Sequence, residues 1–287
     1  LNNFTKRLIT GIGFVAVLLS GIIFHPILFY IVFSTITILG LYEFYSLGNK
    51  MKVEPFIIPN LIVGLTIFTI TFFNAAQIID NHVFIIIVPL LVFLSVFELY
   101  RKTLYPILNI AYSIFGILLI VVPFSLFSYF IFNKNLALND NVIVSIRGIY
   151  QNYDYKILLS FFLILWSNDT FAYIFGISFG KHRLFERISP KKSWEGFIGG
   201  LVMSIIMAII LSKYFSFYTL NFGILLAIVV SVFGTIGDLF ESMFKRSINI
   251  KDSGTILPGH GGILDRFDGV FLSSPIVFFI LYLFSWV

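Results

Sequence analysis

Cysteine is missing from all 287 residues, which excludes disulfides, thiolate metal sites and cysteine nucleophiles and leaves the compartment open. Charge is nearly as scarce: Asp, Glu, Lys and Arg supply 11% of the chain, where an ordinary soluble domain has roughly 25%. Apolar residues take up 59%, with 36 Phe among them, and one soluble core has no room for that much apolar surface. Several uncharged runs exceed the roughly 18 residues at which an apolar stretch becomes a membrane span. Together these features exclude a soluble globular domain and predict an all-α, polytopic integral membrane protein. The net charge of +5 does not point to nucleic acid, because the basic residues sort by side of the membrane. The first apolar run lacks a small-residue cleavage site and a second follows at once, so it is expected to remain as a span.

Apolar runs between charged or turn-rich breaks predict nine helices, at residues 8–24, 27–46, 56–75, 83–100, 104–132, 157–179, 196–212, 220–244 and 263–287. The fifth is overlong and is expected to tilt or break near Pro123. With nine spans, the N-terminus and the loops after spans 2, 4, 6 and 8 collect 14 of the 19 Lys and Arg; the other side collects 4, and Arg266 opens span 9. The positive-inside rule then puts the N-terminus in the cytoplasm and the C-terminus outside a cell membrane. Ionisable residues concentrate late in the chain. Residues 1–155 are therefore expected to form a five-span scaffold or lipid-facing wall, and residues 156–287 a four-span catalytic region with two basic cytoplasmic loops.

Span 6 contains "LILWSNDTFAYIFG", and an acid at mid-span costs about 3 kcal/mol or more unless paired or hydrated. Ser167 and Asn168 suit interhelical hydrogen bonds, whereas Asp169 is a functional candidate. Span 8 ends "GTIGDLFESMFKR", which sets Asp238, Glu241, Ser242 and Lys245 on one helical face. Glu241 can pair with Lys245 locally. Asp238, one turn deeper, needs a metal or a basic residue from elsewhere. Span 9 opens "GGILDRFDG": on a helix Asp265 and Asp268 share a side, and two converging carboxylates favour a hard cation such as Mg²⁺. Asp238 would complete a three-carboxylate cluster, and Glu241 is a further candidate ligand.

The cytoplasmic loops supply the opposite charge. "ISPKKSWEGFIGG" offers Ser189, Lys191, Lys192 and Ser193, with a helix start expected at Ser193. Arg183 and Arg187, just upstream, read as topology signals. "KRSINIKDSGTILPGHGGI" offers Lys245, Arg246 and Lys251, then His260 among Gly259, Gly261 and Gly262. Glycines admit an anion close to backbone N–H groups, and a helix N-terminus adds a positive dipole. The pattern describes a membrane-surface site for a polyphosphate and Mg²⁺. Kinase, nucleotidyltransferase, phosphotransferase and pyrophosphatase chemistry all remain open on that pattern alone.

"SMFKRSINIKDSGTILPGHGGILDRFD", residues 242–268, resembles the signature of the phosphatidate cytidylyltransferase (CDP-diacylglycerol synthase) family. The fixed positions are met by Ser242, Lys245, Arg246, Lys251, Asp252, Gly254, Pro258, His260, Gly261, Gly262, Asp265, Arg266 and Asp268. "SNDTFAYIFG", "SPKKSWEG" and "GDLFES" resemble further family segments, so the likeness spans about residues 160–287. It implies that CTP and phosphatidic acid from the cytoplasmic leaflet yield CDP-diacylglycerol and pyrophosphate, with Mg²⁺ and a second, monovalent cation such as K⁺. It also suggests a homodimer. On this reading Asp238, Asp265 and Asp268 bind metal, with Asp169 in support, and Lys191, Lys192, Lys245, Arg246 and Lys251 contact phosphates. Two alternatives are a relative that charges an archaeal or isoprenoid lipid phosphate and an ion-coupled transporter with Asp169 and Asp238 as cation sites. A CDP-alcohol phosphotransferase is disfavoured, because no Asp follows Asp268.

Overall fold

The computed structural model describes residues 3–132, 152–215, 219–256, 259 and 261–284. Two compact units emerge: Leu1–Asp154 with Asp252–Arg266 and Trp286–Val287, and Tyr155–Lys251 with Phe267–Ser285. Among the described residues, eight helices are long and apolar enough to cross a membrane. Each falls within a few residues of an expected span. The first expected span is represented by a shorter apolar helical stretch, Arg7–Ile23. The protein is a polytopic, nearly all-α membrane protein.

In the N-terminal unit, helices Asn3–Ile23, Pro26–Leu47, Ile57–Ala75 and Ile87–Leu99 precede a long composite span, Pro106–Ile131. Lipid tails are as apolar as Leu, so burial alone cannot drive helices together in a bilayer, and close side-chain packing must. Phenylalanine supplies much of it. Phe29 stacks on Phe33 with ring centroids 4.5 Å apart, and Phe33 meets Phe127 edge-on at 5.7 Å. The long span stays helical near Pro123 where a tilt or break is expected: Pro106–Gly116 passes through a π-helical turn, Ile117–Val121, before Val122–Ile131. Pro123 sits at the start of that last helix, where its ring would crowd the carbonyl four residues back in a regular helix. The wider turn absorbs the conflict.

The C-terminal unit contains helices Lys156–Phe179, Trp194–Tyr214, Leu220–Ser247 and Val270–Leu283, and the last span along the chain is not continuous. Helix Leu264–Phe267 ends before Asp268, and Val270–Leu283 resumes after a turn at 268–269. An antiparallel ribbon of Arg183–Phe185 against Ser189–Ser193 joins the first two spans of this unit. The all-helical expectation did not include this ribbon. It is too short, and too rich in basic residues, to show an alternating apolar pattern.

Candidate active site

Small residues bring the helices of the C-terminal unit close enough to place polar groups face to face. A Cβ at Gly200 would lie 2.8 Å from the Asn168 carbonyl oxygen, and one at Gly196 would lie 2.7 Å from that of Ala172. Helix Trp194–Tyr214 therefore rides directly on the stretch of Lys156–Phe179 from Asn168 to Gly176. The turn at Asp268–Gly269 nests in the same way against Leu220–Ser247. A side chain at Gly237 would put its Cβ 2.6 Å from the Asp268 carbonyl oxygen. Backbone contact at glycine thus sets Asp268 beside Asp238.

The result is a cluster of acids within one unit. Asp238, Asp169 and Glu241 all lie within electrostatic reach of Asp268, whose carboxylate accepts a hydrogen bond from the Gly269 N–H at 2.7 Å. Asp169 is exposed on its helix, and Asp238 and Asp268 are half-buried. Two lysines answer the charge. Lys192, from the ribbon, forms an ion pair with Asp238, supplying the distant basic partner that Asp238 required. Lys245 pairs with buried Glu241 at 2.5 Å, the local i,i+4 pair foreseen for them. Ser242 donates its hydroxyl to Asp238 at 3.3 Å, one turn along the same face. Arg246 donates to the Ile250 carbonyl at 3.1 Å and is exposed, as is Lys251. The helix stops there because Asn249 adopts φ 55°, a left-handed conformation that Asn tolerates better than most residues.

The ribbon is fixed at both ends by its neighbours. Ser193 caps helix Trp194–Tyr214 as expected, its buried hydroxyl accepting from the Gly196 N–H at 3.1 Å. Glu195 accepts from the Lys181 N–H at 3.1 Å, from the His182 N–H at 3.2 Å and from His182 Nδ1 at 2.6 Å. Lys191 is exposed, and Ser189 is half-buried at the start of its strand. A shallow cleft opens beside the ribbon, lined by Lys181, His182, Arg183, Trp194 and Ile198 among others.

In the N-terminal unit, the loop Asp252–Arg266 is organised around two carboxylates. Asp265 Oδ2 accepts from the Ser253 N–H at 2.9 Å and from the Gly262 N–H at 2.8 Å. Glu43, from helix Pro26–Leu47, accepts from the Ile263 N–H at 2.8 Å and from the Leu264 N–H at 3.3 Å. The Ser253 hydroxyl touches both carboxylates and can donate its one hydrogen to either. Glycine is required at two points here. Gly261 has φ +88°, and a Cβ at Gly262 would overlap Glu43. Gly259, at φ +80°, forms the exposed turn before them, while His260 and Pro258 lie outside the described residues.

Two sequence expectations change in this loop. From sequence the Gly-rich turn and helix start form a cradle for substrate phosphate. The N–H groups of Gly262, Ile263 and Leu264 instead donate to Asp265 and Glu43, so the anions they hold belong to the chain. Asp265 and Asp268 were read as one face of one helix, but the helical run breaks at 268–269. Glu43 escaped the sequence reading because a lone acid in an apolar run carries no spacing signal, and its partner Ser253 lies 210 residues away.

Mg²⁺ takes oxygen ligands, and the cluster of the C-terminal unit is all oxygen: four carboxylates answered by two lysines. The donor chemistry fits a hard divalent cation. Among the described residues, no three acidic or histidine side chains converge as a ready-made metal cage. Mg²⁺ is bound through one or two carboxylates together with substrate phosphates and water, so a complete protein cage is not needed.

The chain matches the cytidylyltransferase family over residues 5–284 and belongs to that family. It is 51% identical over 122 residues to a phosphatidate cytidylyltransferase of Staphylococcus haemolyticus strain JCSC1435, covering 42% of this chain and 46% of that protein. The phosphatidate cytidylyltransferase of Staphylococcus aureus strain COL gives the same identity and coverage. That of Staphylococcus saprophyticus is 41% identical over 172 residues, or 55% of this chain and 66% of the relative. The chain thus spans about half to two thirds of the length of the curated relatives it matches.

Proposed function

We propose that this protein transfers a cytidylyl group from CTP to phosphatidic acid, giving CDP-diacylglycerol and pyrophosphate for phospholipid synthesis. The observation that carries the reading is the acid cluster Asp169–Asp238–Asp268 with Lys192 and Lys245 set against it, in a member of the cytidylyltransferase family. The lipid phosphate is already an anionic nucleophile near neutral pH, so no strong base is needed. It attacks the α-phosphorus of CTP, the α–β bridging bond breaks, and pyrophosphate leaves with the displaced electron pair. Positioning and charge stabilisation therefore supply most of the catalysis.

Asp238 and Asp268 would hold Mg²⁺, with Asp169 in support, and the ion would offset charge on the phosphates. Lys191, Arg246 and Lys251 carry exposed basic groups suited to triphosphate or lipid phosphate. Lys192 would turn from Asp238 toward the substrate when metal binds. Glu241 is engaged by Lys245, and Asp265 by its own loop, so their part is to hold Lys245 and the loop in place. Both basic loops face the cytoplasm on the charge count, with the N-terminus on the same side, so CTP reaches them from the cytosol and the lipid slides in from the inner leaflet of the cell membrane. A monovalent cation beside Mg²⁺ and a homodimeric assembly complete the proposal on the family resemblance alone.

The test supplies purified protein in detergent with phosphatidic acid, Mg²⁺ and CTP labelled on the cytosine ring. Label should enter the organic-extractable lipid only with lipid and Mg²⁺ both present, and EDTA should abolish it. Transfer to another lipid phosphate and none to phosphatidic acid would reassign the acceptor. Failure with every acceptor would overturn the reading.

A further inference from the structure

Glu195 stands in the first turn of helix Trp194–Tyr214, where the helix dipole alone stabilises an acid. Its carboxylate nevertheless reaches across to the far side of the ribbon. Oε2 accepts from the Lys181 N–H at 3.1 Å, and Oε1 accepts from the His182 N–H at 3.2 Å and from His182 Nδ1 at 2.6 Å. The His182 carbonyl in turn accepts from the Trp194 N–H at 2.9 Å, and Arg183 pairs with Ser193 one step further along. Ser193 fills the same corner. Its hydroxyl accepts from the Gly196 N–H, and a Cβ at Gly180 would come within 2.7 Å of it. The two ends of the ribbon are thus closed on each other at its base. The residue next to that base is Lys192, and Lys192 pairs with Asp238 of the acid cluster. Clamp, ribbon, Lys192 and Asp238 all lie in the C-terminal unit.

A two-stranded ribbon is marginally stable by itself, and a lysine head sits on a flexible four-carbon stem. The direction in which Lys192 leaves the backbone therefore depends on what holds the ribbon's base. We infer, on the reading of the reaction given above, that Glu195 is a positioning residue for cytidylyl transfer: by closing the base of the ribbon it fixes the backbone from which Lys192 reaches Asp238 and the substrate phosphates. A glutamine cannot replace it, because its one oxygen accepts while its NH₂ would meet N–H groups. The His182 ring is a lesser part of the clamp, since the two backbone N–H groups remain without it.

The test reads Lys192 directly and then through turnover. Brief acetylation with acetic anhydride, followed by mass spectrometry, compares Lys192 with exposed Lys191 beside it. In wild type the ion pair should slow modification of Lys192 at least about threefold relative to Lys191, and in Glu195→Gln the two rates should converge. Glu195→Gln should lower kcat about fivefold or more while the KM for CTP moves less than about threefold. In a Lys192→Ala background the same substitution should cost less than about twofold, because both changes act on one contact. His182→Ala should cost less than Glu195→Gln. Should Glu195→Gln fail to fold, Glu195→Asp takes its place in each comparison, keeping the charge but falling one methylene short. An unchanged Lys192-to-Lys191 ratio, an equal loss of kcat with and without Lys192, or a His182→Ala loss as large as that of Glu195→Gln would overturn the inference. Wild-type protein that transfers no label sinks the cytidylyl reading instead, and the acetylation ratio then judges the positioning of Lys192 by itself.

Discussion

Carboxylates in the two units live under different rules. In the N-terminal unit each buried acid is met by protein donors. Glu98, 5% exposed, accepts from Arg101 Nη1 at 2.8 Å, from the Thr103 hydroxyl at 2.7 Å and from Asn109 Nδ2 at 2.6 Å. Glu43 is met by a hydroxyl and two backbone N–H groups. In the C-terminal unit, Asp169, Asp238, Glu241 and Asp268 act on one another, and among the described residues Lys192 and Lys245 pair with members of the cluster. An acid surrounded by donors holds a fold together. Acids that crowd each other repel, and an incoming cation or phosphate-bound metal can relieve that repulsion.

The hardest test of this contrast removes one crowding acid. Asp268→Asn or Asp238→Asn should cut transfer by more than about 100-fold, beyond the roughly 10–100-fold lost when only a metal ligand's supporting partners are altered. Both variants should still fold, since each relieves repulsion within the cluster. Retained turnover in either would show that the crowded acids are structural after all.

The ribbon offers a finer separation. Lys192 touches Asp238 whereas its neighbour Lys191 points to solvent. Lys192→Ala should lower kcat about tenfold or more. Lys191→Ala should chiefly raise the CTP concentration needed, by a few-fold, and more so at low salt. Equal effects from the two would mean that the Lys192–Asp238 pair contributes nothing beyond positive charge. Gly237→Ala tests how the cluster is built, because the added Cβ would press on the Asp268 backbone at 2.6 Å. Overpacking of this kind typically costs about 1–3 kcal/mol, so stability and turnover should fall together.

Much of this architecture can be read from the sequence. Long uncharged runs between basic loops locate the spans, since length and charge are all the bilayer demands. The stripe Asp238–Glu241–Ser242–Lys245 was legible because helix periodicity alone makes its i,i+4 contacts. Even the need for a distant base at Asp238 could be stated, although Lys192 could not be singled out. What stayed hidden depends on tertiary contact. The break at 268–269 follows from backbone packing of that turn on Gly234 and Gly237, which no local propensity encodes. The Glu43 clamp joins residues from opposite ends of the chain. Glu195 plays the equivalent part for the other basic loop, catching the Lys181 and His182 N–H groups, and its position just inside a capped helix start suggested only an end-of-helix role.

The smallest expected effect on catalysis comes from the acid best supplied with donors. Glu98 ties three side chains together, and Arg101 and Asn109 in turn hold Glu54, through its carbonyl and its N–H. Glu98→Gln loses the charge opposite Arg101 and turns an NH₂ toward a donor, at a cost of about 1–3 kcal/mol in stability. Thermal unfolding in detergent should register that loss, while turnover per folded molecule should match wild type within about twofold, because the acid is met by three donors of its own unit. Turnover that fell as far as in Asp268→Asn, at equal folded concentration, would erase the distinction between the two units' carboxylates. Such a fall would make burial, rather than the donors around each acid, the property that marks function in this fold.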